Sequence, residues 1–173
     1  MGMAATVPAS LVMELRARTG AGVMDCRRAL TEAGGDIERA AALLRTWGLA
    51  LAERKSGREA RQGVVESYIH GGGRIGVLVE VNFETDFVAR TDDFRRLARE
   101  LAMQVAATEP RYVTRDEVPE PEREDPALTQ AILLEQPYIR DERRTVADLV
   151  TETVAKVGEN IQVRRFARFK VGE

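Results

Sequence analysis

Apolar residues in the first third of the chain recur at the spacing of helices, and two pairs of glycines divide them. The pattern predicts a helix over about residues 10–18, a second from residue 23 to the glycines at 34–35, and a third after Asp36, a good N-cap. Gly48 is expected to end the third helix. The apolar positions are Leu11, Val12, Leu15, Val23, Cys26, Leu30, Ile37, Ala40, Ala41 and Leu44. Such short helices bury only a small core, so we expect a compact module of marginal stability.

The period changes to two after a charged connection. Residues 49–62 are mostly charged or small, and they predict a helical extension that links the first module to a second part of the chain. Val64–Ile69 is a strand candidate, and the glycines after it predict a turn. Every odd position of Ile75–Phe83 is apolar, which is a strong strand signal. The two segments therefore predict a β-hairpin.

Helical spacing returns after Thr91, a residue that can cap a helix. Apolar positions from Phe94 to Val105 give the clearest helix pattern in the chain. Four prolines and many acidic residues then predict an irregular connection over residues 109–126. A further helix is expected over about residues 127–135.

The last part of the chain combines a helix with a strand. The helix is expected to begin at Thr145, with Asp148 near a capping-box position, and to end at Gly158. Alternation over Ile161–Val171 predicts a strand with one apolar side. That side comprises Ile161, Val163, Ala167, Phe169 and Val171. Because this strand can reach the hairpin only at long sequence separation, we expect a three-stranded antiparallel sheet with helices on one face, an α+β fold.

Composition excludes several classes of protein. The 173 residues are 44% hydrophobic and 31% charged, as in ordinary soluble proteins, and no apolar run approaches the roughly 20 residues that span a membrane. The chain starts without a secretory-signal pattern, and its use of a single cysteine leads us to expect a protein of the reducing cytoplasm. A formal net charge of −2 argues against a general nucleic-acid binder. One cysteine, Cys26, and one histidine, His70, cannot form an intrachain disulfide or a Cys/His zinc site.

Enzymatic catalysis has no support in the sequence. A Ser-His-Asp or Cys-His arrangement depends on His70 alone, which we expect at the surface beside the glycine turn. Residues 71–76 match the dinucleotide pattern G-x-G-x-x-G, but they open a strand, whereas the phosphate site needs the start of a helix. We therefore expect no nucleotide binding by the protein itself and no cofactor. Cys26 lies on an apolar helix face and is expected to be a buried structural thiol.

Two short segments leave alternatives open. Phe87 and Val88 lie in Glu84–Arg90, between the clearest strand and the clearest helix, and fit neither pattern. Phe87 either packs back on the following helix as a staple or projects from the turn as an anchor for a partner. In the glycine loop before the second helix, Val23 and Met24 either belong to the fold or form a soft apolar contact.

Three stretches carry a resemblance to a known family. They are Arg18–Leu30 (RTGAGVMDCRRAL), Glu80–Arg90 (EVNFETDFVAR) and Leu133–Asp141 (LLEQPYIRD). The first two resemble signatures of the bacterial translation elongation factor Ts family, and the third is also similar to that family, in matching order and spacing. The resemblance implies a three-helix domain of the ubiquitin-associated (UBA-like) type over residues 1–48, a helical linker over 49–62 and an α+β core used for dimerisation over 63–173.

The resemblance also implies a function and its residues. Members of the family are guanine-nucleotide exchange factors that bind elongation factor Tu and promote GDP release. By match to the family motifs, the partner-binding residues are Thr85, Asp86, Phe87, Val88, Val23, Met24 and Arg16. Phe87 is expected to insert between helices of the GTPase near its magnesium site, and Val23 stands where the family often has methionine.

Chain length adds an expectation about assembly. Long members of the family carry two related core subdomains and a coiled-coil insertion, whereas this chain has room for one core unit. Two chains are expected to supply the missing half, so we expect a homodimer through the apolar sheet face and a 2:2 complex with elongation factor Tu. No direct contact with nucleic acid or membrane is expected. The alternative is a UBA-like adapter without exchange activity.

Overall fold

The structure, a computed structural model, describes residues 7–173 of the chain. Its elements follow the predicted α+β order. They are α1 (Ala9–Thr19), α2 (Val23–Glu32), α3 (Ile37–Ser56), β1 (Gln62–His70), β2 (Ile75–Phe83), α4 (Asp92–Thr108), β3 (Pro137–Tyr138), β4 (Asp141–Thr145), α5 (Val146–Val157) and β5 (Ile161–Lys170). Within residues 7–173, no helix is long and apolar enough to cross a membrane. The prediction that the chain lacks a secretory signal concerns its N-terminal residues, and residues 1–6 lie outside the part that the structure describes.

The first three helices enclose a small core of their own. Its buried residues are Val12, Leu15, Cys26, Ala29, Leu30, Ala33 and Ala40. Asp36 caps α3 as predicted, because its carboxylate accepts hydrogen bonds from the backbone N–H groups of Glu38 and Arg39. The apolar face predicted for α2 is confirmed at Cys26 and Leu30, whereas Val23, in the first turn, is 42% exposed.

Gly48 does not end α3, so that prediction was wrong. The helix continues to Ser56, and Gly48 is buried where α3 packs against α5. A Cβ atom at residue 48 would lie 3.2 Å from the Cβ of Ala155, so the glycine allows the two helices to approach closely. This packing outweighs the roughly 0.5–1 kcal/mol by which glycine weakens a helix relative to alanine. One continuous helix therefore joins the first module to the rest of the fold.

The predicted three-stranded antiparallel sheet is confirmed, with β2 between β1 and β5. Four of the five odd-numbered side chains of β2 are buried with α4 in the main core, and Ile75 is half-buried against it. The four are Val77, Val79, Val81 and Phe83. The three glycines at 71–73 all have positive φ and form the turn from β1 to β2. The G-x-G-x-x-G match therefore lies in a hairpin turn, as the sequence analysis expected.

The alternation predicted for β5 is interrupted by a bulge. The β2–β5 register shifts between Glu80 and Val81, because Glu80 pairs with Arg165 and Val81 pairs with Val163. Arg164 is the extra residue in β5. A slip of one residue moves all later side chains to the opposite face of a strand.

As a result, the apolar side predicted for β5 was wrong beyond Val163. Ile161, Val163 and Phe166 face the main core. Ala167 and Phe169 instead lie on the opposite face of the sheet and are exposed. Val171, beyond the end of the strand, is exposed as well.

Helix α4 begins, and helix α5 both begins and ends, where capping chemistry predicts. The Thr91 hydroxyl accepts a hydrogen bond from the N–H of Phe94 at the start of α4. Thr145 and Asp148 form a complete capping box at the start of α5. Gly158 ends α5 in the left-handed conformation, with φ 74°.

The helix predicted over residues 127–135 does not form. Two 3₁₀ turns stand there instead, Pro126–Ala131 and Leu133–Glu135. Tyr112 binds both turns through its backbone: its N–H donates to the carbonyl of Ala131, and its carbonyl accepts from the N–H of Leu133. These bonds to the far end of the connection take the place of the i to i−4 bonds that an α-helix requires.

Candidate functional site

Residues 84–90, here called the Phe87 turn, join β2 to α4. Phe87 has helical backbone angles (φ −61°, ψ −37°), and its side chain is 74% exposed. Of the two positions that the sequence left open, the structure shows the outward one. An exposed aromatic side chain on a short turn is suited to fill a pocket on a partner, where such anchors dominate binding energy.

The residues on either side of Phe87 attach the turn to the fold. Val88 is 3% exposed and packs in the main core. Thr85 donates two hydrogen bonds to the carboxylate of Glu159, from its N–H to Oε2 (2.9 Å) and from its hydroxyl to Oε1. The position of Val88 favours an anchoring role over direct contact with a partner. Sequence reasoning missed Glu159, because no local pattern marks a contact between residues 74 positions apart.

Asp86 is the exposed acidic group beside the ring. Its Oδ2 lies 3.4 Å from Nη2 of Arg90, one helical turn along the chain. Both side chains are largely exposed, so this ion pair contributes little stability. The Asp86 carboxylate therefore remains accessible to a partner.

Glu84 joins the base of the turn to two other elements. Its Oε1 accepts a hydrogen bond from the backbone N–H of Asn160 (2.7 Å), and its Oε2 lies 3.3 Å from Nη1 of Arg58. The Asn160 N–H, together with the Arg58 guanidinium, lowers the pKa of Glu84. The buried side chain of Asn160 donates in turn to the carbonyl of Arg58 (2.7 Å).

A second exposed apolar group lies in residues 20–24, which comprise the connection after α1 and the first two residues of α2 and are here called the α1–α2 loop. Met24 is 73% exposed, and Val23 and, in α1, Arg16 are exposed as well. The flexible thioether of methionine adapts to irregular partner surfaces. The thiol of Cys26 lies instead in the small core, where burial raises its pKa. Cys26 is thus the structural thiol that the sequence predicted.

Lys156, near the end of α5, lies close to the α1–α2 loop and to the first turn of α4. Its Nζ is 3.8 Å from Oδ1 of Asp93, in the first turn of α4 after the Phe87 turn. A Cβ atom added at Gly20, in the α1–α2 loop, would lie 2.8 Å from the same Nζ. One side chain therefore reaches from the α1–α2 loop to the start of α4. Gly20 and Asp93, which are far apart in the sequence, therefore lie near the same side chain.

Comparison with known proteins decides the family. A sequence model of the family described as Elongation factor TS matches residues 49–127. Elongation factor Ts of Carboxydothermus hydrogenoformans is 52% identical over 195 aligned positions, which cover 96% of this chain and 90% of that protein. The chain belongs to the elongation factor Ts family.

Two further relatives agree with this assignment. Elongation factor Ts of Caldanaerobacter subterraneus is 51% identical, covering 96% of this chain and 98% of that protein. Elongation factor Ts of Anaeromyxobacter dehalogenans is 48% identical, and the alignment covers 98% of this chain and 90% of that protein. The alignment with the first of these relatives spans 195 positions, more than the 173 residues of this chain, so that relative carries residues without a counterpart here.

The outer face of the sheet, turned away from α4, is the third exposed apolar surface of this family member. Its apolar residues are Val65, Ile69, Leu78, Ala167 and Phe169. Four of them are neighbours across the strands, since Leu78 pairs with Ala167 and Gly76 pairs with both Ile69 and Phe169, whereas Val65 pairs with Glu80. Contiguous exposed apolar surface of this kind marks an interaction site. The alternation in the sequence predicts Phe169 on the same side as Ile161, because the pattern does not reveal the bulge.

Proposed function

We propose that this protein is a guanine-nucleotide exchange factor that binds elongation factor Tu and promotes release of GDP during translation elongation. The observation that carries the proposal is the exposed ring of Phe87, on a turn that is held from both sides by Thr85 and Val88. This turn belongs to the second stretch that resembles the family. Membership of the elongation factor Ts family supports the identity of the partner.

The proposed mechanism uses the ring as a wedge. A GTPase holds GDP through phosphate contacts and through Mg²⁺, which neutralises crowded oxygen charge. A side chain that separates the elements around the Mg²⁺ weakens this hold without touching the nucleotide. By linkage, bound nucleotide must weaken the binding of the factor by the same amount.

The energetics require more than one contact. Acceleration of GDP release by ~10³ to 10⁴ corresponds to about 4–5.5 kcal/mol. Burial of one phenylalanine side chain supplies roughly 1.5–3 kcal/mol. Phe87 therefore acts together with a second surface, for which we propose the α1–α2 loop, with Val23 and Met24 as apolar contacts and Arg16 beside them. Lys156 lies close to Gly20 in the α1–α2 loop and to Asp93 in α4, the helix that follows the Phe87 turn.

The proposed activity requires no catalytic residue in this chain. The chemistry is the dissociation of a ligand from a partner, so the protein acts on a GTPase and is not itself an enzyme. It needs no cofactor, no bound nucleotide and no nucleic-acid or membrane contact of its own. We place it in the cytoplasm, where translation takes place.

We further propose that the protein is a homodimer through the outer sheet face. The exposed side chains of Leu78 and Phe169 support this, because they form part of an apolar patch on the sheet that a second copy can cover by two-fold symmetry. With one partner bound to each copy, the complex is 2:2.

Release of fluorescently labelled GDP from elongation factor Tu tests the exchange activity. The wild-type protein should accelerate release, and Phe87→Ala should lose most of the acceleration while keeping its fold by circular dichroism. Ile139→Ala removes another exposed apolar side chain and serves as the matched control. Binding to the partner without acceleration would favour the adapter alternative, and no change in release with added wild-type protein would refute the proposed function.

A further inference from the structure

Residues 156–160, at the junction between α5 and β5, contact every element that the exchange proposal uses. Lys156 reaches the α1–α2 loop and the start of α4. Glu159 accepts both hydrogen bonds of Thr85 in the Phe87 turn. Asn160 binds Glu84 and the backbone that follows α3. Each of these three residues is engaged in contacts within the chain, so their common feature is the position that they impose on other elements.

Glu159 is the member of this junction that bears most directly on Phe87. Its two carboxylate oxygens each accept one hydrogen bond from Thr85, one from the backbone and one from the side chain. Hydrogen bonds to an ionised carboxylate are stronger and better defined in geometry than bonds between neutral groups. On the other side of the ring, the buried side chain of Val88 fixes the chain a second time. With both neighbours held, the direction in which Phe87 leaves the turn is restricted.

The contact between Thr85 and Glu159 lies outside the main core, so it affects the turn more than the stability of the whole fold. Thr85 is exposed, and Glu159 is only half-buried, beyond the end of α5. The main core is built from β2, α4 and α5 and does not include either residue. Exposed charged contacts add little to global stability. The pair therefore orders the turn locally more than it stabilises the protein as a whole.

We propose that Glu159 is a positioning residue for nucleotide exchange, which holds Thr85 so that Phe87 is presented to the partner in a fixed direction. This inference rests on the proposed function. A ring that is already fixed loses less conformational freedom when it inserts, so more of its binding energy remains to open the partner. Glu159 acts through Phe87, and docking of the α1–α2 loop does not depend on it.

Steady-state exchange with elongation factor Tu and labelled GDP tests this role. Glu159→Ala removes both acceptors and is expected to lower kcat about tenfold, whereas Glu159→Gln keeps one oxygen acceptor and is expected to lower it about threefold. KM should change less than about twofold for both variants, since the second surface is intact. Glu142→Ala, at an exposed glutamate on β4, is the control and should match the wild-type protein.

A double-mutant cycle separates positioning from a structural role. In a Phe87→Leu background, the loss caused by Glu159→Ala should shrink to less than about twofold, because the residue acts through the ring. Equal losses in both backgrounds, or a fall in Tm that accounts for the loss of rate, would overturn the proposal.

Amide hydrogen exchange of the free protein gives a readout that does not involve the partner. Glu159→Ala should accelerate exchange at the Thr85 and Val88 amides and leave the amides of β2 unchanged. Unchanged protection of the Phe87 turn would overturn the positioning role, even if the exchange activity itself is confirmed. Failure of Phe87→Ala to slow GDP release would instead refute the proposed function.

Discussion

Phe169→Asp is the perturbation that bears most directly on the proposed dimer. The side chain is 72% exposed on the outer sheet face, so a charge at this position meets no obstacle in the isolated chain. Phe169 also lies outside the main core that β2 shares with α4. The variant is therefore expected to fold as the wild-type protein does, with an unchanged Tm for the monomer.

The size of the effect follows from the area that a second copy would cover. A phenylalanine presents about 150–250 Å², and close to three quarters of it is exposed here. At ~25 cal/mol per Å², covering that area contributes about 3 kcal/mol per copy, or about 6 kcal/mol for two symmetric copies. Because ~1.4 kcal/mol corresponds to a tenfold change, loss of this contribution should raise the dimer Kd by about 10⁴.

Sedimentation velocity over nanomolar to micromolar concentrations measures this change. The wild-type protein should sediment as a dimer at micromolar concentration, and Phe169→Asp should sediment as a monomer. Met13→Asp places the same charge at an exposed apolar position on α1 and should remain a dimer. A monomeric wild-type protein, or a Phe169→Asp variant as dimeric as the wild type, would refute the assignment of the outer sheet face.

Two further predictions concern the contacts that support the site. Gly48→Leu should lower the free energy of unfolding, measured in urea, by about 1–3 kcal/mol, because the new side chain meets Ala155. Gly57→Leu is the control: its side chain meets open space and should change the free energy of unfolding much less. The pKa of Glu84 is lowered in the folded protein, so its stabilising effect is present above pH ~4.5 and is lost as the pH falls through the folded pKa. In urea, the free energy of unfolding of the wild-type protein should therefore exceed that of Glu84→Gln at pH 7, and the difference should be smaller at pH 3. Equal differences at both pH values would contradict this.

Local chemistry explains the parts of the fold that the sequence predicted. Thr91 and the Thr145–Asp148 pair form caps with groups only a few residues away, so the helix starts could be assigned without tertiary information. The alternation of Ile75–Phe83 likewise predicts a strand with one buried face, and the bounds of the predicted strand agree with those of β2.

Contacts between distant residues explain what the sequence did not predict. A glycine ends a helix or allows another helix to approach, and only the presence of Ala155 decides which applies at Gly48. The bulge at Arg164 depends on the register with β2, which the β5 sequence alone does not encode. The resemblance to the family favoured the outward position of Phe87, but the Thr85–Glu159 contact that supports it appears only in the folded chain.

The central claim is that the exposed ring of Phe87 opens the nucleotide site of elongation factor Tu. Stopped-flow release of labelled GDP, with wild-type protein and Phe87→Ala compared at saturating concentration, tests it most directly. Loss of roughly 1.5–3 kcal/mol of burial predicts a decrease of about 10- to 100-fold in the accelerated rate, with the circular dichroism spectrum and Tm unchanged. Release of GDP from elongation factor Tu at the same rate with Phe87→Ala as with the wild-type protein would contradict the account.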